Sequence, residues 1–423
     1  MNSDKLSRNV RRIARLDIPG GGQVTVDGGY AYVGHMKPPY GTSIIDISDP
    51  ANPTVIASIT LPDGYSHTHK VRVVGDLMYT NVERNNRHFL RQGDTIPALR
   101  SSLAGTLGRA ATDSELAEAM KVAPEDIPVL DAAQARGYED GGFRIYDISD
   151  RRNPRLIHFE KTHGFGVHRF DVDKNYAYIS TEMPGYIGNI LVNYDVRDPS
   201  KPVEASRWWI PGQHIAGGET PSWTGYSHRL HHAMRVGDEL WAAYWHAGIR
   251  VLDASDMSKP RLIGSHDYHP PIPEPTHTIM PLEKRIDGRR IAVCVDEEHT
   301  HRPGSLHAFL WTFDVTDLND IKPMAIFDVS ELESPFSRSG RFGAHQYREK
   351  LDDTIVYVTW FSGGLRIVDV ADPFHPEEVG FFIPEPPKGQ LSPQSNDVDV
   401  DDNGLIYLLD RNAGLDILTF DRP

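Results

Sequence analysis

At 423 residues the chain could hold two or three average domains, and its net charge of −15 argues against a phosphate-backbone partner, because nucleic-acid binding needs clustered Lys and Arg to displace counterions. Its 39% hydrophobic content with 36 Gly and 31 Pro suits short strands and many turns rather than a helical bundle. The single cysteine, Cys294, lies in the apolar run Ile291-Ala292-Val293-Cys294-Val295, which excludes an intrachain disulfide and a thiolate metal cluster.

Taken in order, the chain opens on the polar stretch Met1 to Arg8, and no later segment is apolar for long enough to span a bilayer. A soluble, cytoplasmic protein without a membrane partner is expected. Asn9 to Pro19 reads as a strand resembling the outer-strand pattern of Thr54 to Pro62. A repeated unit follows: strand, turn, strand, then a signature such as Ile45-Asp46-Ile47-Ser48-Asp49-Pro50-Ala51-Asn52-Pro53, then one more short strand. The signature returns at Tyr146 to Pro154, Tyr194 to Pro202, Leu252 to Pro260, Phe313 to Pro323 and Val368 to Pro376. Four-stranded units repeating every ~45 to 60 residues are the mark of propeller blades.

Seven blades are expected: Gly22 to Leu61, His69 to Thr162, His168 to Pro211, His231 to His266, His277 to Val329, His345 to Pro384, and one from Asn396-Asp397 to Phe420. The seventh runs out of chain before its outer strand, which Asn9 to Pro19 would supply, closing the ring and removing a sheet edge. The fold expected is therefore a single all-β, seven-bladed propeller domain over 1–423, closed by an N-terminal strand. Residues 85–140 form an insertion within blade two. There Thr112-Asp113-Ser114-Glu115 has the form of a capping box and predicts a helix start, with helix also expected near 97–109 and 127–136. This helical insertion serves either as a flap over the ring's mouth or as a contact in a homo-oligomer.

The blade starts carry the chemistry. His69, His168 and His231 each stand ten positions before an aromatic residue, Tyr79, Tyr178 and Trp241, and His277 and His345 open the next two blades with longer hairpins. First residues of innermost strands converge at one mouth of the axis, so five imidazoles are expected there as metal ligands, with Gly22 and either Asn396 or Asp397 in the other two places. Neutral imidazole without thiolate suits a divalent transition metal, Fe(II) first, with Zn, Mn or Cu as alternatives. Glu83, Glu182 and Glu297 follow the second strands and are expected behind the histidines, since a ligating ring usually gives its other N–H to a carboxylate. Asp397 is a candidate proton carrier, and one of the five histidines is a candidate acid/base. Trp245, Phe361 and Arg411 fall at the glutamate position in other blades, as pocket walls. His67, His228, His232, His246, His299 and His301 enrich the same face.

The signature at its cleanest, Gly363-Gly364-Leu365-Arg366-Ile367-Val368-Asp369-Val370-Ala371-Asp372-Pro373, resembles the LVIVD-repeat family of β-propellers. That resemblance covers nearly the whole chain apart from the insertion and implies the fold. The layout of one histidine per inner strand backed by glutamates is similar to the iron centre of carotenoid cleavage oxygenases, and selenium-binding-protein-type methanethiol oxidases offer a second analogy. Both are analogies of site architecture. The function expected is a histidine-ligated non-haem iron oxygenase or other oxidoreductase acting on a small, partly apolar or aromatic molecule. The alternatives are a metal-dependent hydrolase or lyase, and a metal-free interaction platform.

Overall fold

The computed structural model describes residues 6–299 and 302–423. Its strands are short because each repeat signature is a double turn. Asp46 Oδ1 accepts from Ser48 N at 3.0 Å and Asp49 Oδ1 from Ala51 N at 3.1 Å. The same pair recurs at Asp147 and Asp150, at Asp253 and Asp256, and at Asp369 and Asp372. An aspartate that caps the backbone two residues on bends the chain back on itself, so each signature joins a third strand to an outer fourth.

The result is an all-β propeller. Gly21–Asp27, Tyr30–His35, Tyr40–Asp46 and Thr54–Thr60 form the first four-stranded sheet. His232–Val236 to Arg261–His266 form another, and Thr276–Pro281 to Lys322–Phe327 a third. Between the first of these and the second, the hydrogen bonding gives one sheet of nine strands in place of two separate blades. It consists of two meanders, Val71–Val74 to Arg155–Lys161 and His163–Val172 to Val203–Trp208, bridged at Gly166 and Glu83, with Ser66–His67 added beside Leu77–Arg84. Five four-stranded sheets and one nine-stranded sheet are thus observed where the repeats predict seven separate units.

The chain's beginning and end are woven together. Val10–Pro19 pairs antiparallel with Ala413–Phe420, as expected for the missing outer strand. Just before it, Ser7–Arg8 pairs with Glu377–Phe382 of the neighbouring sheet. Apolar residues fill the gaps between consecutive sheets, and the last packs on the first through Tyr407, Leu409, Val24 and Val33. On that seam Asp397 Oδ2 accepts from Val24 N at 2.9 Å and Asp399 Oδ2 from Val26 N at 2.8 Å.

The insertion holds four helices, α1 (Arg87–Arg91), α2 (Ile96–Leu107), α3 (Asp113–Met120) and α4 (Asp126–Arg136). The capping box is present at α3: Thr112 Oγ1 accepts from Glu115 N while Glu115 Oε2 accepts from Thr112 N. Leu116, Ala117 and Ile127 give the helices a small core of their own.

One buried histidine makes stability pH-dependent. His307 stands between Glu298 Oε1 at 2.9 Å and Glu331 Oε1 at 3.0 Å, and the Glu298 hydrogen bond leads in raising its pKa to about 9. A raised imidazole stabilises the fold fully below its unfolded value near 6.5, and that contribution is lost as pH rises through about 9. The full shift would be worth about 3.4 kcal/mol, and solvent screening of the pair reduces the expected drop to about 2 kcal/mol between pH 6.5 and pH 10. Denaturant titrations of His307→Gln should show that slope removed; an unchanged slope would refute the assignment.

Candidate metal centre

The five predicted histidines do meet. Their ring centroids form one continuous arc: His69 to His168 5.4 Å, His168 to His231 5.0 Å, His231 to His277 3.9 Å and His277 to His345 4.6 Å. All five line one cavity of about 420 Å³ at the mouth of the axis. Gly22 holds no ligand because its missing side chain is the space His69 fills; a Cβ there would lie 2.6 Å from His69 O and 2.8 Å from His69 Cβ. Burial pushes all five imidazoles well below 6.5, so each is neutral at physiological pH and has one lone pair to give.

Which nitrogen carries that lone pair follows from the neighbours. His231 Nδ1 faces His277 O at 2.8 Å, and His345 Nδ1 faces Asn396 O; a carbonyl only accepts, so both rings carry their proton on Nδ1. His168 Nδ1 faces Glu83 Oε2 at 3.1 Å. For His277 the argument runs through three residues. Gln346 Nε2 donates to Tyr347 O and Glu349 Oε1, leaving its Oε1 to accept from Thr278 Oγ1, whose oxygen is then free to accept from His277 Nδ1 at 2.9 Å. Four rings therefore keep Nε2 unprotonated.

His69 is the exception. Asn81 Oδ1 accepts from Lys70 N at 2.8 Å and its Nδ2 donates to Val167 O at 2.8 Å, so the backbone fixes the amide from both sides. The same Nδ2 lies 3.1 Å from His69 Nδ1, which must accept. The proton of His69 is then on Nε2, 3.9 Å from Glu83 Oε2. The five predicted ligands divide into four lone-pair donors and one N–H donor, a division the repeat pattern does not carry because Asn81 has no repeated counterpart.

Two of the three predicted carboxylates stand where expected. Glu83 is buried between His67 at 3.1 Å, His168 at 3.1 Å and Arg87 at 2.9 Å. Glu297 lies 3.0 Å from His299, 3.8 Å from His345 and 3.9 Å from His277. Burial works against its charge, but His299 overrides that cost and holds the carboxyl well below its usual range. Glu182 is a correction. It does not line the cavity; Arg91 engages it, and its Oε2 accepts from Phe165 N at 3.1 Å. His67 is two residues before His69, but His163, the residue paired with Glu182, is five before His168. The three extra residues bulge, with Gly164 and Gly166 at φ +60 and +87, and carry the carboxylate away from the ring.

Asp397 is a second correction. A register shift falls between Ser395 and Asp397; neither Asn396 nor Asp397 lines the histidine cavity, and Asp397 turns to the seam and lines a separate cavity with Arg72 and Glu349. Of the remaining predicted residues, Arg411, His67 and His299 line the cavity. Phe361 stacks on His345 at 4.7 Å, and Trp245 packs on His299 at 4.8 Å. His232 sits deeper, 3.2 Å from Glu349, while His228 stacks on Trp223 and His246 reaches Pro273 O. His301 lies outside the described residues. The sequence pattern gives no hint of Arg87 and His88 of α1, which roof the cavity, or of Arg341 in its wall.

Among the described residues, two groups have ligand atoms close enough to share an ion, all within 4.8 Å of one another: His67, His69 and Glu83, and His231, His277 and Glu297. In the first, His67 is committed to Met36 O and Glu83, and His69 offers a proton. The second has two free Nε2 lone pairs and a carboxylate, flanked by the free Nε2 atoms of His168 and His345. The donor chemistry fits a borderline divalent metal there.

No helix among the described residues is long and apolar enough to cross a membrane. No curated protein is detectably similar in sequence. In solved structures the chain is similar to the C-terminal WD40 domain of Sif2 (TM-score 0.54, 10% identity, 97% of this chain and 98% of that one). It is similar also to a chain of the mitotic checkpoint complex (0.56, 9%, 97% and 92%) and to a candidate 6-phosphogluconolactonase from Bacteroides uniformis (0.51, 10%, 93% and 88%). At these identities the likeness is one of fold. Residues 21–60 and 355–382, the strands of the first sheet and of the sheet beside the chain's clasp, match the LVIVD repeat, so this propeller carries LVIVD repeats.

Proposed function

We propose that the protein is a metalloenzyme whose divalent metal is held by His168, His231, His277 and His345 at the mouth of a seven-bladed propeller. The single observation that carries this is the shared hydrogen-bond pattern: four rings with Nδ1–H fixed on an acceptor and Nε2 bare toward one cavity. The blade count rests on dividing the nine-stranded sheet at its one bridge, Gly166 to Glu83, into its two meanders.

An all-imidazole set favours Fe(II), with Zn, Mn or Cu as alternatives, and the reading of the reaction is an oxidoreductase acting on a small, partly apolar or aromatic molecule in the cytoplasm. When bound, the metal would activate O₂ or polarise a substrate oxygen. The chain's own part is clearer. Glu83 and Glu297 orient His168 and hold negative charge beside His277 and His345. His69 presents an N–H to the cavity and so is placed to hold or deliver a proton at Nε2. Arg87 and His88 cover the mouth, with His88 stacked over Trp245, and limit access of water.

Elemental analysis of the purified protein tests the reading. One metal per chain is expected. Iron with O₂ uptake supports the oxygenase, whereas zinc or manganese with oxygen-independent turnover would move the chemistry to hydrolysis or lyase cleavage. A protein with no stoichiometric metal would leave the interaction platform, a use compatible with the WD40 likeness of the fold.

A further inference from the structure

The cavity wall holds more positive charge than the ring requires. Besides Glu83 and Glu297 it presents Lys37, Arg87, Arg341 and Arg411, four cations against two carboxylates even with the buried Lys70 left aside. This occurs in a chain whose overall charge is −15. Arg87 is matched by Glu83 at 2.9 Å. Arg341 reaches Glu297 only at 3.5 Å, donates to Glu298 O at 3.0 Å and lies over the Phe361 ring.

Arg411 has no carboxylate within ion-pair reach among the described residues; its guanidinium donates to the neutral Asn396 Oδ1 at 3.0 Å. Burial, with the Arg341 cation adding to it, presses Arg411 down to about 10, which leaves it charged at neutral pH. Glu297 acts on it only through space, without a direct ion pair, and a sheltered guanidinium beside another cation with no carboxylate in contact is costly unless an anion completes it. Position says from where that anion comes. Arg411 and Lys37 also line an outer groove of about 400 Å³ with Ile18, Pro19, Tyr40 and one carboxylate, Asp17, which makes no ion pair with either cation among the described residues. The uncompensated corner is the threshold between groove and ring.

We propose that Arg411 and Arg341 seat a carboxylate of the substrate, so that the protein takes a small organic acid and holds its apolar or aromatic body beside the histidine arc. A planar guanidinium fork matches a carboxylate with two parallel N–H···O bonds. The seat names the substrate class of the proposed metal site, but as a binding site it stands apart from the metal.

The test is calorimetric titration of the full-length protein, metal-loaded and chelator-stripped, with benzoate, benzamide and inorganic phosphate as probes. Benzoate should bind both forms, and benzamide at least about tenfold more weakly. Arg411→Gln should weaken benzoate by about tenfold or more with metal content unchanged. Should that variant misfold by circular dichroism, Arg341→Gln must show the same loss. Benzoate binding that vanishes on stripping yet survives Arg411→Gln is carboxylate on the metal, and overturns the seat while leaving the metal centre standing. Arg411-dependent binding in a protein that holds no metal keeps the seat and removes the metal reading. Phosphate binding more tightly than benzoate, or benzoate binding neither form, overturns the carboxylate assignment.

Discussion

Replacing His231 with alanine should abolish metal binding at the proposed site while leaving the propeller folded. His231 is the middle ring of the arc, 1% exposed, with neighbours at 5.0 and 3.9 Å on its two sides. Its Nδ1–H is aimed at His277 O, so its loss removes one ligand and frees the segment that carries the next. Loss of a supporting carboxylate usually costs about 10 to 100-fold in metal affinity, so loss of a ligand should exceed about 100-fold. Glu297→Gln should fall within the smaller range. His69→Ala supplies the contrast: if its Nε2 carries a proton, the variant should keep full metal content and lose turnover. Metal titration followed by mass spectrometry reads all three. Full occupancy in His231→Ala would refute the site, and metal loss in His69→Ala would refute the division of four and one.

Deleting residues 1–20 should be the most damaging change to the fold. It removes the outer strands of two adjacent sheets at once. Val10 and Ile18 are 3% and 5% exposed, and burial of such side chains is worth about 1.5 to 3 kcal/mol each. Arg12 Nε lies 2.7 Å from Asp416 Oδ1, and Asp416 is a buried carboxyl, raised by that burial to about 6. Deleting the strand takes away both Arg12 and Arg15 and uncovers Asp416, so the lost ion pairs are offset by its rehydration, and the apolar burial and the ladder hydrogen bonds of two strands carry the loss. That loss is a large part of the stability of an ordinary domain, about 5 to 15 kcal/mol. The melting temperature should fall by at least about 10 °C, and a synthetic peptide spanning residues 6–20 should restore part of it. A truncated protein that melts like the intact one would show that the clasp carries little load.

The fold was readable from residues whose job is the same in every unit. The paired aspartates of each signature bend the backbone by local hydrogen bonds, so their spacing in sequence is their spacing in structure. The histidines were readable for the same reason, each sitting on or just before an inner strand. Glu182 was misplaced because the offset that positions Glu83 holds only if the strands match in length, and the bulge between His163 and His168 breaks that. Asp397 failed at a register shift, which in a strand is a change of side. The tautomers of the ring depend on Asn81, Thr278 and Gln346, residues brought in by tertiary contact with no periodic trace.

The clasp also sets a timetable. During synthesis at about 5 to 20 residues per second, Val10–Pro19 leaves the ribosome well before its partner, Ala413–Phe420, which follows about 400 residues and tens of seconds later. Until then an early strand with its backbone groups unpaired waits beside a growing arc of sheets, and every nascent chain offers the same sticky edge to its neighbours on one messenger. Yield in the cell should therefore respond to translation speed and to chaperones that shield extended segments more than to the stability of the finished ring.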